Sequence, residues 1–313
     1  MKPLVAPLRE PRYEDVWLAS VPLDDGSTID LRFDVYQHPD QTEPGPCVVY
    51  FFGGGWVDGD YKQRTSQKAV YIRDLVELVD RGLTVVSASY RLAQQAPFPA
   101  CVHDAKALIR HLKARGTEYL IDPDRIGVLG NSAGGHLAAM LALTAGDPRI
   151  DGTVGDDTDQ SSSVAAAVIY YAPVDLLAMA RSTGARDTGG SEVEDILASD
   201  DASLFETVLG YERSRHGGLS LQRLLASGEG EQYAEILRRY SPITHVEGEH
   251  PPMLILHGGR DALVPLSQSE SFYHALRAAG ADVTYLTYSR GGHGPSLGPA
   301  VDAFAYQFLV SRL

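Results

Sequence analysis

The stretch that decides the fold is Gly130-Asn131-Ser132-Ala133-Gly134-Gly135, or GNSAGG. An apolar run at 126–129 precedes it, and a second run at 137–143 with the composition of a helix follows it. A serine between glycines at a strand-to-helix junction is typical of a nucleophile elbow. The turn strains the serine backbone, and the glycines let strand and helix approach closely. We therefore predict that Ser132 is a nucleophile at the carboxyl end of a sheet.

The rest of the chain predicts the sheet that would carry this serine. Two alternating stretches, near Val16 and at 29–35, indicate an antiparallel hairpin at the sheet edge. Short apolar runs separated by helical spacing follow at 47–52, 84–88, 126–129, 165–171, 253–256 and 283–288. This alternation is typical of parallel strands covered on both faces. We predict an α/β fold with eight mostly parallel strands and helices on both faces.

A long insertion separates the sixth and seventh predicted strands. Residues 174–249 are too many for a simple connection, and helical spacing occurs around Phe205 and Leu209, at 221–225 and at 233–240. We interpret the insertion as a small helical cap on a core formed by residues 1–173 and 250–313, with a flexible strip at 184–191. Phe205 and Leu209 are predicted to pack the cap and contact substrate. An inert surface insertion is the alternative.

Two further motifs supply an acid and a base for the serine. Asp261 lies in HGGRD after the seventh predicted strand, and His293 lies in GGHGP after the eighth. The chain order of Ser132, Asp261 and His293 is that of an α/β-hydrolase triad. Asp175, directly after the sixth strand, is the alternative acid, because some hydrolases take their acid from that position.

Three consecutive glycines after the third predicted strand suit an oxyanion hole. Backbone N–H groups can reach a developing oxyanion only where side chains do not intervene. The predicted donors are the amides of Gly54, Gly55 and Ala133. Trp56 and Asn131, which adjoin these positions, are predicted to contact the substrate, although a structural role suits Trp56 equally well.

Four stretches together resemble the hormone-sensitive-lipase-like branch of the α/β-hydrolases: FFGGGW at 51–56, GNSAGG at 130–135, HGGRDALVP at 257–265 and GGHG at 291–294. Within that branch the chain is most similar to bacterial feruloyl esterases and kynurenine formamidases. The resemblance implies the α/β-hydrolase fold, hydrolysis of carboxylic esters, no cofactor, and the triad and oxyanion hole above. Phe52 departs from the family, which usually has histidine before the three glycines, and we expect altered loop packing there.

These motifs predict a serine carboxylesterase that acts on small esters of short acyl or hydroxycinnamic acids. The same triad can cleave amides, so an arylformamidase or a peptidase remains an alternative. A non-catalytic binder on the same fold is a third alternative, but such proteins typically lose the histidine, and His293 is present.

Composition restricts the partners and the compartment. The formal charge of −14 disfavours nucleic acid and anionic membranes, and no apolar run is long enough to span a bilayer. The first 20 residues lack the apolar core of an export signal, so we expect a cytoplasmic enzyme. Cys47 and Cys101 are expected to be free thiols, and no metal motif occurs. An exposed edge strand or cap helix would offer a homodimer contact.

Overall fold

A computed structural model describes residues 10–23, 25–62, 75–181, 201–294 and 297–313 of the 313-residue chain. In these ranges eight strands form one sheet, in the order β1-β2-β4-β3-β5-β6-β7-β8. Their bounds are β1 (Tyr13–Pro22), β2 (Thr28–Tyr36), β3 (Gly45–Phe51), β4 (Thr84–Ala88), β5 (Ile121–Asn131), β6 (Ala166–Tyr170), β7 (Met253–Gly258) and β8 (Val283–Tyr288). The predicted count of eight strands is confirmed.

The sheet is parallel except at one edge. β2 pairs antiparallel with both β1 and β4, and every other neighbouring pair is parallel. All residues of β4, β6 and β7 are buried, as expected for apolar strands covered on both faces. β8 lies at the opposite edge and exposes half of its residues. The carboxyl ends of β3 and β5 to β8 therefore meet on one side of the sheet, where the predicted motifs follow them.

Four longer helices accompany this sheet: α1 (Ala100–Arg115), α2 (Ala133–Leu143), and, after the insertion, α7 (Leu266–Ala278) and α8 (Pro299–Arg312). Every residue of α2 is buried, because its sequence is apolar on all sides. A helix of this kind must lie inside the molecule, and α2 contacts β3, β5 and β6. The residue that joins β5 to α2 is Ser132.

The segment between β6 and β7, residues 174–249, is called here the cap segment. Its helices are α3 (Leu176–Arg181), α4 (Asp201–Val208), α5 (Leu221–Ser227) and α6 (Glu231–Arg239), and α3 packs against the other three. The three predicted helices are present. The sequence did not predict α3, because six residues are too few to show a helical period. The predicted flexible strip at 184–191 lies outside the described residues.

Hydrogen bonds connect the cap segment to the rest of the molecule. The amide of Phe98, just before α1, donates to the carbonyl of Val208 at 2.8 Å. The imidazole of His136 on α2 contacts the carbonyl of Tyr240 at 2.7 Å. The cap segment is thus hydrogen-bonded both to the segment before α1 and to α2, the helix that begins directly after the predicted nucleophile.

Two further observations concern the cysteines and the composition of the helices. Cys47 and Cys101 are buried and unpaired, as predicted. Among the helices of the described ranges, none has both the length and the apolar composition needed to cross a bilayer.

Candidate active site

The turn at Ser132 has the geometry of a nucleophile elbow. Ser132 has φ 53° and ψ −122°, a conformation that non-glycine residues rarely adopt, and its amide donates to the carbonyl of Tyr170 at 2.9 Å. A Cβ atom on Gly130 would lie 2.1 Å from the carbonyl oxygen of Gly134. A Cβ atom on Gly134 would lie 2.0 Å from the carbonyl oxygen of Phe51. Gly130 therefore lets β5 turn closely into α2, and Gly134 lets the start of α2 approach the end of β3.

His293 lies between Ser132 and Asp261. Its Nε2 atom is 3.0 Å from Ser132 Oγ, and its Nδ1 atom is 2.7 Å from Asp261 Oδ2. The three residues follow β8, β5 and β7, so strands that are distant in sequence bring them to one edge of the sheet. A nucleophile, a base and a residue that orients the base, linked by hydrogen bonds, form the arrangement that activates a serine.

Asp261 has hydrogen-bond partners on both carboxylate oxygens. Oδ1 accepts from the amides of Leu263 and Val264, both at 2.9 Å, and Oδ2 lies 3.2 Å from His257 Nε2 as well as facing His293. Burial by itself would raise the pKa of this carboxyl. The hydrogen bonds from His257 and His293 outweigh burial and hold the pKa of Asp261 well below its usual range. The carboxylate is therefore charged at neutral pH.

The alternative acid, Asp175, has a different position. Its Oδ1 atom accepts from the amide of Ala178 at 2.9 Å, so the side chain caps the first turn of α3. The structure brings Asp261 to His293 and leaves Asp175 at the start of a helix.

The glycines after β3 form a tight turn beside Ser132. Gly54 has φ 116°, and a Cβ atom there would lie 2.0 Å from the carbonyl oxygen of Asp58. Gly55 has φ 60°. Ala133 is the first residue of α2, where amides have no partner within the helix. Gly55 and Ala133 line a cleft together with Ser132, whereas Gly54 does not line it.

This cleft extends from Ser132 to the cap segment. It holds about 380 Å³, including its open mouth. Its described lining contains no aspartate, glutamate, lysine or arginine, and it is formed by Gly55, Trp56, Ser132, Ala133, Pro173, Met179, Leu204, Leu263, Val264 and His293. Met179 and Leu204 belong to α3 and α4, so the cap segment supplies part of an apolar wall.

The structure changes the predicted set of substrate contacts. Trp56 lines the cleft as predicted. Asn131 is not among the residues that line it, and its Oδ1 atom accepts from the hydroxyl of Tyr50 at 2.9 Å. Phe205 and Leu209 are not among them either: both are buried in the cap segment, and Leu204 is the α4 residue that lines the cleft.

Several lining residues were not predicted. Leu263 and Val264 come two and three residues after Asp261, and that proximity in sequence was a usable signal. Pro173 and Met179 carry no such signal, because they reach the cleft only through the path of the chain after β6.

Phe52, where the family usually has histidine, packs against an aromatic neighbour. Its ring is stacked on Tyr90 with centroids 4.3 Å apart and an angle of 17° between the planes. The Tyr90 hydroxyl also donates to the Phe52 carbonyl at 2.9 Å. The expected altered packing thus takes the form of a stacked pair at the base of the glycine turn.

Within the described ranges, no group of three or more histidine, cysteine, aspartate or glutamate side chains could hold a metal ion.

Comparison with known families identifies the family to which the chain belongs. Residues 33–276 match the BD-FAE family. The chain belongs to the BD-FAE family. Among curated relatives of this BD-FAE member, the esterase LipC of Mycobacterium tuberculosis is 31% identical over 280 residues, which cover 87% of this chain and 60% of LipC. The esterase LipQ of the same organism is 29% identical, covering 86% of this chain and 55% of LipQ. The chain thus spans little more than half the length of these relatives.

Solved structures give the same fold. This BD-FAE chain is similar to a truncated carbohydrate esterase from gut microbiota, with a TM-score of 0.71, 24% identity, and coverage of 97% of this chain and 99% of that one. It is also similar to the propionate-bound thermophilic esterase Est2 of Thermogutta terrifontis, with a TM-score of 0.63, 25% identity, and coverage of 94% and 91%. The first likeness supports the α/β-hydrolase fold alone.

Proposed function

We propose that this chain is a serine carboxylesterase with Ser132 as nucleophile, His293 as general base and Asp261 as the residue that orients the base. The observation that carries the proposal is the position of His293, whose two ring nitrogens lie 3.0 Å from Ser132 Oγ and 2.7 Å from Asp261 Oδ2. Membership of the BD-FAE family and the esterase relatives support the same activity.

The proposed reaction has two steps. His293 Nε2 accepts the proton of Ser132 as Oγ attacks the ester carbonyl, and the resulting imidazolium then protonates the leaving alcohol. Water next attacks the acyl-enzyme while His293 takes its proton, and the imidazolium returns this proton to Ser132 Oγ as the bond from Oγ to the acyl carbon breaks and the acid leaves. Asp261 keeps the proton of neutral His293 on Nδ1, so that Nε2 is free to accept.

The proposed oxyanion hole consists of the amides of Gly54, Gly55 and Ala133. Support comes from the place of Gly55 and Ala133 beside Ser132 in the cleft and from the glycine turn that keeps side chains away. Backbone donors positioned before the reaction stabilise a tetrahedral intermediate, and one such donor is worth about 3 kcal/mol.

We further propose that the substrates are small esters with short aliphatic acyl groups. The described lining is apolar and partly formed by Met179 and Leu204 of the cap segment, so it offers no charged partner to a polar acyl group. The similar esterase Est2 has been solved with propionate bound. A short aliphatic chain suits such a wall better than a hydroxycinnamoyl group, whose phenol requires a hydrogen-bond partner.

A substrate panel tests the proposal. Purified protein is assayed with p-nitrophenyl esters from acetate to octanoate, with methyl ferulate and with N-formylkynurenine. We expect hydrolysis of the short p-nitrophenyl esters, with kcat/KM falling towards octanoate. Ser132→Ala should remove at least about five orders of magnitude of turnover, as loss of a triad nucleophile does.

Any other result would change the proposed substrate, the proposed nucleophile or the proposed activity. A preference for methyl ferulate would show that the preferred acyl group is hydroxycinnamoyl and not short aliphatic. A preference for N-formylkynurenine would identify an arylformamidase. Turnover that persists in Ser132→Ala would reject Ser132 as the nucleophile. Failure of the wild-type protein to hydrolyse any member of the panel would reject the carboxylesterase.

A further inference from the structure

Tyr171, the residue directly after β6, has an unusual backbone conformation beside the candidate site. Its φ is 35°, in the left-handed region that a bulky side chain rarely adopts. Its side chain is 1% exposed. A strained residue of this kind persists only where its surroundings hold it, and such residues cluster at functional sites.

The backbone of the Tyr170–Tyr171 pair links two of the three catalytic loops. The Tyr170 carbonyl accepts from the amide of Ser132 at 2.9 Å, on the side of the nucleophile elbow. The Tyr171 amide donates to the carbonyl of Leu256 at 2.7 Å, near the end of β7. The end of β6 is therefore fixed relative to both Ser132 and the strand that precedes Asp261.

The side chain of Tyr171 reaches the third loop. Its hydroxyl donates to the carbonyl of Gly294, the residue after His293. Its ring also packs on the imidazole of His293, with centroids 4.5 Å apart and an angle of 59° between the planes. The hydroxyl thus fixes the backbone next to the base, while the ring limits the rotation of the base itself.

We propose that Tyr171 is the positioning residue of His293: it fixes the imidazole relative to the Ser132 elbow through the Gly294 hydrogen bond and the ring contact. The inference rests on the proposed esterase function, since it assigns a role in the same site. Tyr171 is not among the residues that line the cleft, so the role proposed for it is exerted through His293. Its ring also lies within the distance at which an aromatic face attracts a cation, so it can stabilise the imidazolium that forms during turnover.

The neighbouring tyrosine provides a matched control. Tyr170 is also buried, and its hydroxyl donates to Asp302 Oδ1 of α8 at 3.1 Å, whereas the Tyr171 hydroxyl donates to the residue after His293. Tyr171→Phe and Tyr170→Phe therefore each delete one hydroxyl from one strand end. Both variants keep the backbone bonds to Ser132 and Leu256.

The decisive measurement is kcat and KM for p-nitrophenyl butyrate. In Tyr171→Phe we expect kcat to fall about tenfold with KM within about twofold, because a loosened base affects the chemical step more than binding. Tyr170→Phe should keep both constants within about twofold of the wild type. Thermal unfolding of the two variants should be similar, which separates positioning of the base from a general loss of stability.

Phosphonylation of Ser132 tests the role of Tyr171 without requiring that the preferred substrate is known. The rate at which a p-nitrophenyl phosphonate labels Ser132, followed by mass spectrometry, requires an activated serine but no preferred ester. We expect labelling to slow about tenfold in Tyr171→Phe, and at least as much in Tyr171→Leu, which also removes the ring.

The outcomes are distinguishable. If wild-type protein is labelled but hydrolyses no ester, the esterase proposal fails while the labelling rates still test Tyr171. Equal kcat and labelling rates in Tyr171→Phe and Tyr170→Phe would overturn the role of Tyr171. An effect confined to KM, or no labelling of the wild-type protein, would overturn it as well.

Discussion

Asp261 differs from a simple orienting acid because two histidines face the same oxygen. His257 is fully buried; its Nδ1 atom is 2.7 Å from the Ser269 hydroxyl, and its Nε2 atom is 3.0 Å from the Val264 carbonyl. A carbonyl can only accept, so Nε2 carries a proton and can also point it at Asp261. His257 therefore supports the carboxylate as a second partner of the oxygen that faces His293.

Substitution of the two candidate acids should give opposite results. Asp261→Asn should lower kcat by about four orders of magnitude. The amide would stabilise the wrong tautomer of His293, and it lacks the negative charge that stabilises the imidazolium. Asp175→Asn should keep kcat within a few-fold, since Asn also caps a helix. The check is kcat for p-nitrophenyl butyrate in both variants at pH 8. A larger loss in Asp175→Asn would transfer the role to Asp175.

Helix α4 has two adjacent apolar residues with different surroundings. Leu204 lines the cleft, whereas Phe205 is fully buried among the cap-segment helices. Consecutive residues of a helix point about 100° apart, so only one of the two can face the cleft. This pair separates substrate selection from the stability of the cap segment.

Alanine at each position should therefore have a distinct effect. Leu204→Ala should enlarge the cleft and shift the preferred p-nitrophenyl ester towards longer acyl chains, with little change in unfolding. Phe205→Ala should lower the free energy of unfolding by about 3 to 5 kcal/mol through a cavity, while the order of preference stays that of the wild type. Chain-length profiles and urea unfolding of both variants provide the check. An unchanged profile in Leu204→Ala would remove this residue from the acyl site.

The contrast between these residues shows how far the sequence could predict the molecule. The eight strands and the sites of Ser132, Asp261 and His293 were predictable, because glycine-flanked motifs at strand ends are local signals. Which residue of α4 faces the cleft was not, since Leu204 and Phe205 are adjacent and both apolar, and only the packing of the neighbouring helices distinguishes them. Tyr171 was not predictable either, because its role depends on three loops that meet only in the folded chain.

His136 connects the core of the molecule to the cap segment. It lies on α2, is fully buried, and contacts the Tyr240 carbonyl through Nε2 at 2.7 Å. Its ring also packs edge-on against Trp56, with centroids 5.2 Å apart. Burial lowers the pKa of His136 to about 4, although the Tyr240 carbonyl favours the charged form.

This shift makes the stability of the molecule depend on pH in a defined direction. In the unfolded chain a histidine takes up its proton below about pH 6.5, whereas folded His136 stays neutral until about pH 4. As the pH falls through this window, the unfolded state binds more protons, so the folded state loses stability, on the order of 3 kcal/mol by pH 4. Burial also lowers the pKa of His103 to about 4, so this residue adds a loss of the same sign.

Replacement of His136 by glutamine should remove its share of this dependence. Glutamine can still donate to the Tyr240 carbonyl and does not titrate, so His136→Gln should lose less stability than the wild type between pH 7 and pH 4.5. His274 is exposed on α7, and His274→Gln should follow the wild-type curve. Urea unfolding at several pH values gives the three curves. If the free energy of unfolding of His136→Gln falls with pH in parallel with that of the wild type, then His136 does not cause the loss of stability in acid.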